Sequence, residues 1–218
     1  AGVVLGGAID ECKKLAEKLD APVCNGYQHN DSFPGSHPLA VGPLGYNGSK
    51  AAMELISKAD VVLALGTRLN PFSTLPGYGI DYWPKEATII QVDMNPDRIG
   101  LTKKVSVGIC GDAKQVAQQI LDKLSSDAGN TGREERKNLI HKTKSAWLQT
   151  LSGLDHEEDD PGTVWNKEAR ERDKDRMSPR QAWRAIQDAL PEEANISSDI
   201  GNNCAIGNAY PTFEKPRK

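Results

Sequence analysis

Between residues 59 and 112 the apolar positions gather into three short runs, Val61–Leu65, Ile89–Val92 and Val105–Ile109, with polar or glycine-containing stretches between them. The runs are rich in Val, Ile and Leu and do not alternate with polar residues. That pattern predicts strands buried on both faces, as in a parallel sheet covered by helices. Each run stops at a turn: Gly66-Thr67-Arg68, Asp93-Met94-Asn95 and Gly111-Asp112. In open α/β sheets ligands lie outside the carboxyl ends of the strands, so these turns are the first candidates for a site.

A different period flanks the runs. Cys12, Leu15, Ala16 and Leu19 recur at three-and-four spacing and predict a helix over 9–19. Ala52, Leu55, Ile56 and Ala59 do the same for a helix over 50–58, with Ser49 placed to cap it. Val116, Ile120, Leu121 and Leu124 give a helix over 113–124 capped by Asp112, and Leu139, Ile140, Trp147, Leu148 and Leu151 give another over 133–151. Shorter apolar stretches at Val3–Leu5 and 21–24 read as strands, the first followed by a Gly6-Gly7-Ala8 turn. Asn95 to Gly100 reads as a single helical turn.

Strand and helix alternate, so the fold expected is α/β: a three-layer, mostly parallel six-stranded sheet with helices on both faces, of Rossmann-like type. Residues 1–126 form this unit. Residues 127–176 turn polar and read as a linker with one helical segment; their acidic run at 156–160 and the mixed charges beyond it suit a solvated surface. From Met177 a second unit opens. Ser178-Pro179 caps a helix over 180–190, a strand follows at 194–198, and Asp199-Ile200-Gly201-Asn202-Asn203 makes another strand-to-glycine turn.

Residues 25–46 fit neither period. They hold four glycines, three prolines and two histidines, and a loop of that length is usually functional. His29 and His37 have no third ligand in view and read as solvated loop histidines, with no metal site expected. The four cysteines (Cys12, Cys24, Cys110, Cys204) are scattered, with no Cys-x-x-Cys pair. That reads as reduced thiols of a cytoplasmic protein. A net charge of −3 and the lack of a basic stripe argue against nucleic acid as partner. No apolar run approaches membrane-spanning length. The chain opens at Ala1 without a methionine and closes on a polar stretch, which suggests a piece of a longer polypeptide.

Three separated motifs now occur in order: Gly66-Thr67-Arg68 after a buried run, Gln91-Val92-Asp93 with Asp97-Arg98-Ile99-Gly100, and Gly111-Asp112-Ala113. Together they resemble the middle domain of the thiamine-diphosphate-dependent enzymes, the group of acetolactate synthase, pyruvate oxidase and oxalyl-CoA decarboxylase. Residues from Met177 onward resemble the opening of the diphosphate-binding domain of the same enzymes. The stretches 26–51, 69–84 and 197–211 resemble members acting on sulfoacetaldehyde and phosphate, with acetyl phosphate and sulfite as products. The resemblance implies thiamine diphosphate and Mg²⁺ as cofactors of a full-length homodimer or homotetramer. Neither the glutamate that activates the thiamine ring nor the family's magnesium motif occurs in these 218 residues, so the chain alone is expected to be inactive and no catalytic residue is assigned.

By the same resemblance Gly201, Asn202 and Asn203 face the cofactor's diphosphate. Acetolactate synthases tend to carry Gly-Gln-His there, so the Asn pair departs from them. Relatives hold FAD or ADP on the middle-domain turns. Carried over, Gly66, Thr67 and Arg68 would face a nucleotide diphosphate, Asp93 a ribose hydroxyl and Asp112 an adenine amino group. A vestigial, structural site is the other reading, and flavin is not expected. The competing assignments are another thiamine-diphosphate lyase or carboligase, a stand-alone nucleotide-binding module, and a sirtuin-like deacylase, the last opposed by the missing zinc motif.

Overall fold

Three consecutive strands carry the middle of the chain: β3 (Val61–Leu65), β4 (Thr88–Asp93) and β5 (Val107–Cys110), all parallel and paired in the order β3-β4-β5. Val61 stands opposite Thr88 and Leu65 opposite Val92; Ile90 stands opposite Val107 and Asp93 opposite Cys110. Earlier in the chain β1 (Val23–Asn25) and β2 (Ala40–Pro43) form a second parallel ladder. The computed structural model describes residues 1–27, 29–155, 176–177, 179–191, 193–197, 199, 201, 204, 206–207 and 211–216. Expectations for 156–175, Ser178, Ser198, Asn202 and Asn203 lie outside the described residues.

The helices are α1 (Gly2–Leu5), α2 (Ile9–Leu19), α3 (Lys50–Ile56), α4 (Ala113–Lys123), α5 (Arg133–Asp155) and α6 (Pro179–Ala189). They cover both faces of the parallel ladders, so the α/β class holds. Ser49 caps α3 by accepting from the Ala52 amide, and Asp112 caps α4 by accepting from Lys114 and Gln115. The main core joins Ala16 of α2, Phe33, Leu39, Val41, Met53 of α3, Tyr82 and Ile140 of α5. A satellite core seats Trp147 and Leu151 of α5 on Ala51.

Several expectations need correction. Val3–Leu5 is a helical turn, not a strand: Leu5, Gly6 and Ala8 donate their amides to Ala1, Gly2 and Val3 carbonyls. Three apolar residues are too few for period to separate helix from strand. Residues 194–197 are not a strand either; among the described residues no neighbouring strand pairs with them, and a lone strand has unpaired backbone groups. The described residues thus hold five strands in two ladders where six in one sheet were expected. Burial on both faces holds for β4, whose Ile89, Gln91 and Val92 are enclosed, but β5 is an edge and Val107 is exposed. Conversely, β2 lies inside the stretch 25–46 that read as irregular, and Phe33 and Tyr82, both in loops rich in Gly and Pro, are among the most buried side chains.

The end of α2 is closed by α5. Asp20 adopts a left-handed conformation (φ 47°). Arg136 donates from Nε to Asp20 O at 3.0 Å, from Nη2 to Leu19 O at 2.9 Å and to Gly129 O, and from Nη1 to Thr131 O at 3.1 Å. Arg133 adds an ion pair to Asp20 and a bond from Nη2 to Lys18 O at 3.3 Å. The orphan carbonyls of a helix end are here served by a guanidinium from the far side of the chain.

Candidate functional site

The turns after β3, β4 and β5 converge at one edge of the ladder, as the strand order requires. Gln91, 1% exposed, is the residue that holds them together. Its Nε2 donates to Thr67 O at 2.9 Å and to Arg98 O at 3.1 Å, and its Oε1 accepts from the Gly100 amide at 2.9 Å. One buried carboxamide thus spends both donors and an acceptor, satisfying three backbone groups that would otherwise be costly to bury. Sequence reading placed Gln91 inside a motif and gave it no role. Its signal is a polar residue within an apolar strand run.

Gly66 has φ +57° and donates its amide to Val92 O at 2.9 Å while its carbonyl accepts from Gly2 N at 2.9 Å. A Cβ there would sit 2.8–2.9 Å from the backbone of Gly2 and Val3. Both the left-handed backbone and the close approach therefore require glycine. Thr67 Oγ1 accepts from the Leu69 amide at 3.1 Å. Leu69 is itself left-handed (φ 51°), buried, and held through its carbonyl by Thr102 Oγ1 at 2.7 Å. Arg68 is exposed.

Asp93 is buried and its Oδ1 accepts from the Asn95 amide at 2.9 Å, while its carbonyl accepts from Gly111 N at 3.1 Å. Asp112 spends Oδ1 on the cap of α4, and its Oδ2 points at the backbone of Gly6 closely enough that a Cβ on Gly6 would lie 2.9 Å away. The structure therefore brings Gly66, Thr67, Arg68, Asp93 and Asp112 to one edge, together with α1. The side-chain oxygens of Thr67 and Asp93, and one of Asp112, are engaged in their own turns. Gly201 has φ +135°, a backbone only glycine adopts freely, and among the described residues nothing lies within 4 Å of where a Cβ would stand.

The loop histidines are built in rather than solvated. The Leu39 amide donates to His37 Nδ1 at 3.2 Å, which leaves Nε2 as the N–H that donates to Glu17 Oε1 at 3.1 Å. The ring packs edge-on against Phe33 with centroids 5.1 Å apart. Burial holds the His29 imidazole below its ordinary value. Among the described residues no three His, Cys, Asp or Glu side chains stand together to hold a metal, and none of the four cysteines forms a disulfide. Burial pushes the Cys12 and Cys24 thiols up to about 12. A hollow of about 530 Å³ opens elsewhere, between α2 and α5, on Leu39, Ile140 and Leu148; none of the turn residues lines it.

A parallel ladder with helices on both faces and glycine and aspartate turns at its carboxyl edge defines the class: an α/β domain of Rossmann-like type. Residues 1–120 match the family model of the thiamine pyrophosphate enzyme central domain, and the chain belongs to that family. Over all 218 residues it is 79% identical to a probable sulfoacetaldehyde acetyltransferase of Rhizobium meliloti and 76% identical to the sulfoacetaldehyde acetyltransferase of Roseovarius nubinhibens. An acetolactate synthase large subunit of Buchnera aphidicola is 31% identical over an alignment covering the whole chain. The chain spans 37% and 36% of the length of the first two relatives and 34% of the third.

Proposed function

We propose that this chain is the central portion, with the opening of the diphosphate-binding portion, of an enzyme that converts sulfoacetaldehyde and phosphate into acetyl phosphate and sulfite. The observation that carries the reading is identity of 76–79% along every residue with relatives bearing that name, against 31% for the acetolactate synthase. The overall conversion balances without an external oxidant: the aldehyde carbon rises to the acyl level while its neighbour becomes a methyl group, and sulfite leaves with the carbon–sulfur electron pair. In this reading 1–126 is the Rossmann-like domain, 127–176 a linker and 177–218 the start of the cofactor domain.

Thiamine diphosphate, when bound, would supply the electron sink for the negative charge that develops at the aldehyde carbon, and that charge then expels sulfite from the neighbouring carbon. The part of this chain is to help hold it. The open side of Gly201 supports backbone approach to the diphosphate, and by sequence position Asn202 and Asn203 add amide donors. Mg²⁺ bound with the diphosphate, a homodimer or homotetramer, residence in the cytoplasm and a place in sulfonate breakdown complete the reading. No helix among the described residues is long and apolar enough to cross a membrane, which is compatible with it.

For Gly66, Thr67, Arg68, Asp93 and Asp112 the same reading assigns structural work ahead of nucleotide binding, because Thr67, Asp93 and Asp112 already spend side-chain oxygens within the fold. ADP or FAD retained by the purified full-length protein, released on denaturation and identified by chromatography, would reverse that order.

The test of the activity uses the full-length protein with thiamine diphosphate, Mg²⁺ and phosphate. Sulfite and acetyl phosphate are expected together from sulfoacetaldehyde, only with cofactor present. Acetolactate or carbon dioxide from pyruvate, with no sulfite from sulfoacetaldehyde, would assign the protein to a sister lyase or carboligase instead.

A further inference from the structure

The loop after β1 receives residues from the far end of the chain at two places. Tyr27 Oη lies 3.5 Å from Cys204 Sγ, and this hydrogen bond is the first cause that pushes the Tyr27 phenol up to about 12. Eight residues further on, the Gly35 amide donates to Phe213 O at 2.9 Å. The Ser36 amide and hydroxyl then donate to the two carboxylate oxygens of Glu214, each at 2.8 Å. A Cβ on Gly35 would stand 2.8 Å from Thr212 Cβ, so the approach is as close as glycine permits.

The same far segment is gripped from behind by α6. Thr212 N donates to Gln187 Oε1 at 3.0 Å, and a Cβ on Gly207 would meet the Trp183 ring at 2.8 Å. Cys204, Gly207 and Thr212 to Glu214 are therefore held, like a strap, between α6 and the 26–37 loop. The strap begins three residues after Gly201, the glycine that the proposed function places beside the diphosphate.

We propose that Ser36 and Glu214 are positioning residues: their two-pronged bond holds the strap that follows Gly201, so that this glycine stands ready for the cofactor's diphosphate. The inference rests on the thiamine-diphosphate reading above. Its physical basis is preorganisation. A ligand that binds only the seated turn shows an apparent Kd raised by the inverse of the seated fraction. Hydrogen bonds to a charged carboxylate are strong enough, once lost, to lower that fraction to about a tenth. Neither residue touches the cofactor in this scheme, so its affinity changes and the chemical step does not.

The experiment titrates apo full-length protein with thiamine diphosphate in Mg²⁺ and reads binding by calorimetry. Glu214→Gln and Ser36→Ala are each expected to raise the apparent Kd about tenfold, and the double variant no more than either alone, as for two partners in one bond. Ser36→Thr keeps the hydroxyl and is expected within twofold of the parent. Turnover at saturating cofactor should change less than twofold in the same proteins. A Kd within twofold of the parent for Glu214→Gln, an exposed site where folding is not at stake, overturns the inference, as does full additivity in the double variant. Parent protein that binds no thiamine diphosphate at all overturns the underlying reading, a different result from parent that binds and variants that do not differ.

Discussion

The two strand ladders end in opposite ways. The edge of β3-β4-β5 is closed by its own groups: Gln91 ties three backbone groups, Asp112 caps the helix that follows, and Thr67 and Asp93 bond within their own turns. The edge of β1-β2 is closed only in part by its own groups, through Asn25, Ser32 and His37. Its loop is filled by Phe33 and His37, and it takes bonds from Phe213 and Glu214 far along the sequence. The lesson is that a turn which satisfies itself has little left for a ligand, whereas a loop that recruits distant residues can transmit the placement of one part of the chain to another.

The largest expected effect tests how tightly the second edge is packed. Gly45 has φ +88°, and a Cβ there would sit 1.9 Å from Phe72 O. Backbone cannot yield that far cheaply, so Gly45→Ala in the full-length protein should cost more than about 4 kcal/mol and is expected to abolish the cooperative melting transition. Melting within a few degrees of the parent would show that this edge gives way freely and that the contrast is overstated.

Next comes the first edge. Gln91→Leu removes both prongs of the buried carboxamide and leaves Thr67 O, Arg98 O and Gly100 N without their partner. A loss of about 3 kcal/mol is expected from chemical unfolding, in line with buried groups left unsatisfied. Gln91→Glu should lie between the two, because it keeps the acceptor for Gly100 and loses the donors. Equal stability of Gln91→Leu and parent would remove the claim that this residue organises the turns.

A smaller effect separates the edges by pH. His29 sits in the β1-β2 loop with its imidazole held below the ordinary value by burial. Below the unfolded value near 6.5 the unfolded chain then binds more protons than the folded one, so stability rises with pH in that window. The contribution is complete above the unfolded pKa and is lost as pH falls through it toward the folded one. His29→Gln should flatten the acid side of the stability profile slightly and leave pH 8 unchanged. An identical acid slope in the two proteins would count against it.

The smallest perturbation is chemical labelling. Cys110 is exposed at the β5 edge, whereas burial pushes the Cys12 and Cys24 thiols up to about 12. The thiolate is the reacting form. At pH 8 Cys110 should therefore label first, and Cys12 and Cys24 only on denaturation, as followed by peptide mass spectrometry. Early labelling of Cys24 would mean that the β1-β2 edge opens in the native state.

What the amino-acid order revealed about the fold follows from local period. Val61–Leu65 and Ile89–Val92 read as strands because a buried parallel strand is apolar throughout, and Ser49 and Asp112 read as caps because the helices after them have a clear face. β2 escaped because Ala40–Pro43 is short and sits among glycine and proline, so its strand character comes from pairing with β1 rather than from its own pattern. Phe33 and Tyr82 escaped for the same reason: burial in a loop is decided by what packs over it. Of the candidate site, the five turn residues were legible by resemblance and do meet at one edge. Gln91 was present in the motif, yet no pattern along one strand says which distant backbone groups a carboxamide will reach. The Ser36–Glu214 bond spans 178 positions and leaves no local trace.

Arg136 carries a consequence for how the protein breathes. A helix end capped by its neighbours in sequence frays alone, and its amides exchange with solvent deuterium on a short timescale. The last carbonyls of α2 are instead held by a side chain rooted in α5, and so is the 129–131 corner between them. To release the end of α2, the protein must also loosen the first turns of α5. Amides at Ala21 and Arg136, which donate to Ala16 O and Gly132 O, should therefore exchange at matched rates as parts of one opening unit. In Arg136→Lys, whose single ammonium cannot span four carbonyls, the two rates should part.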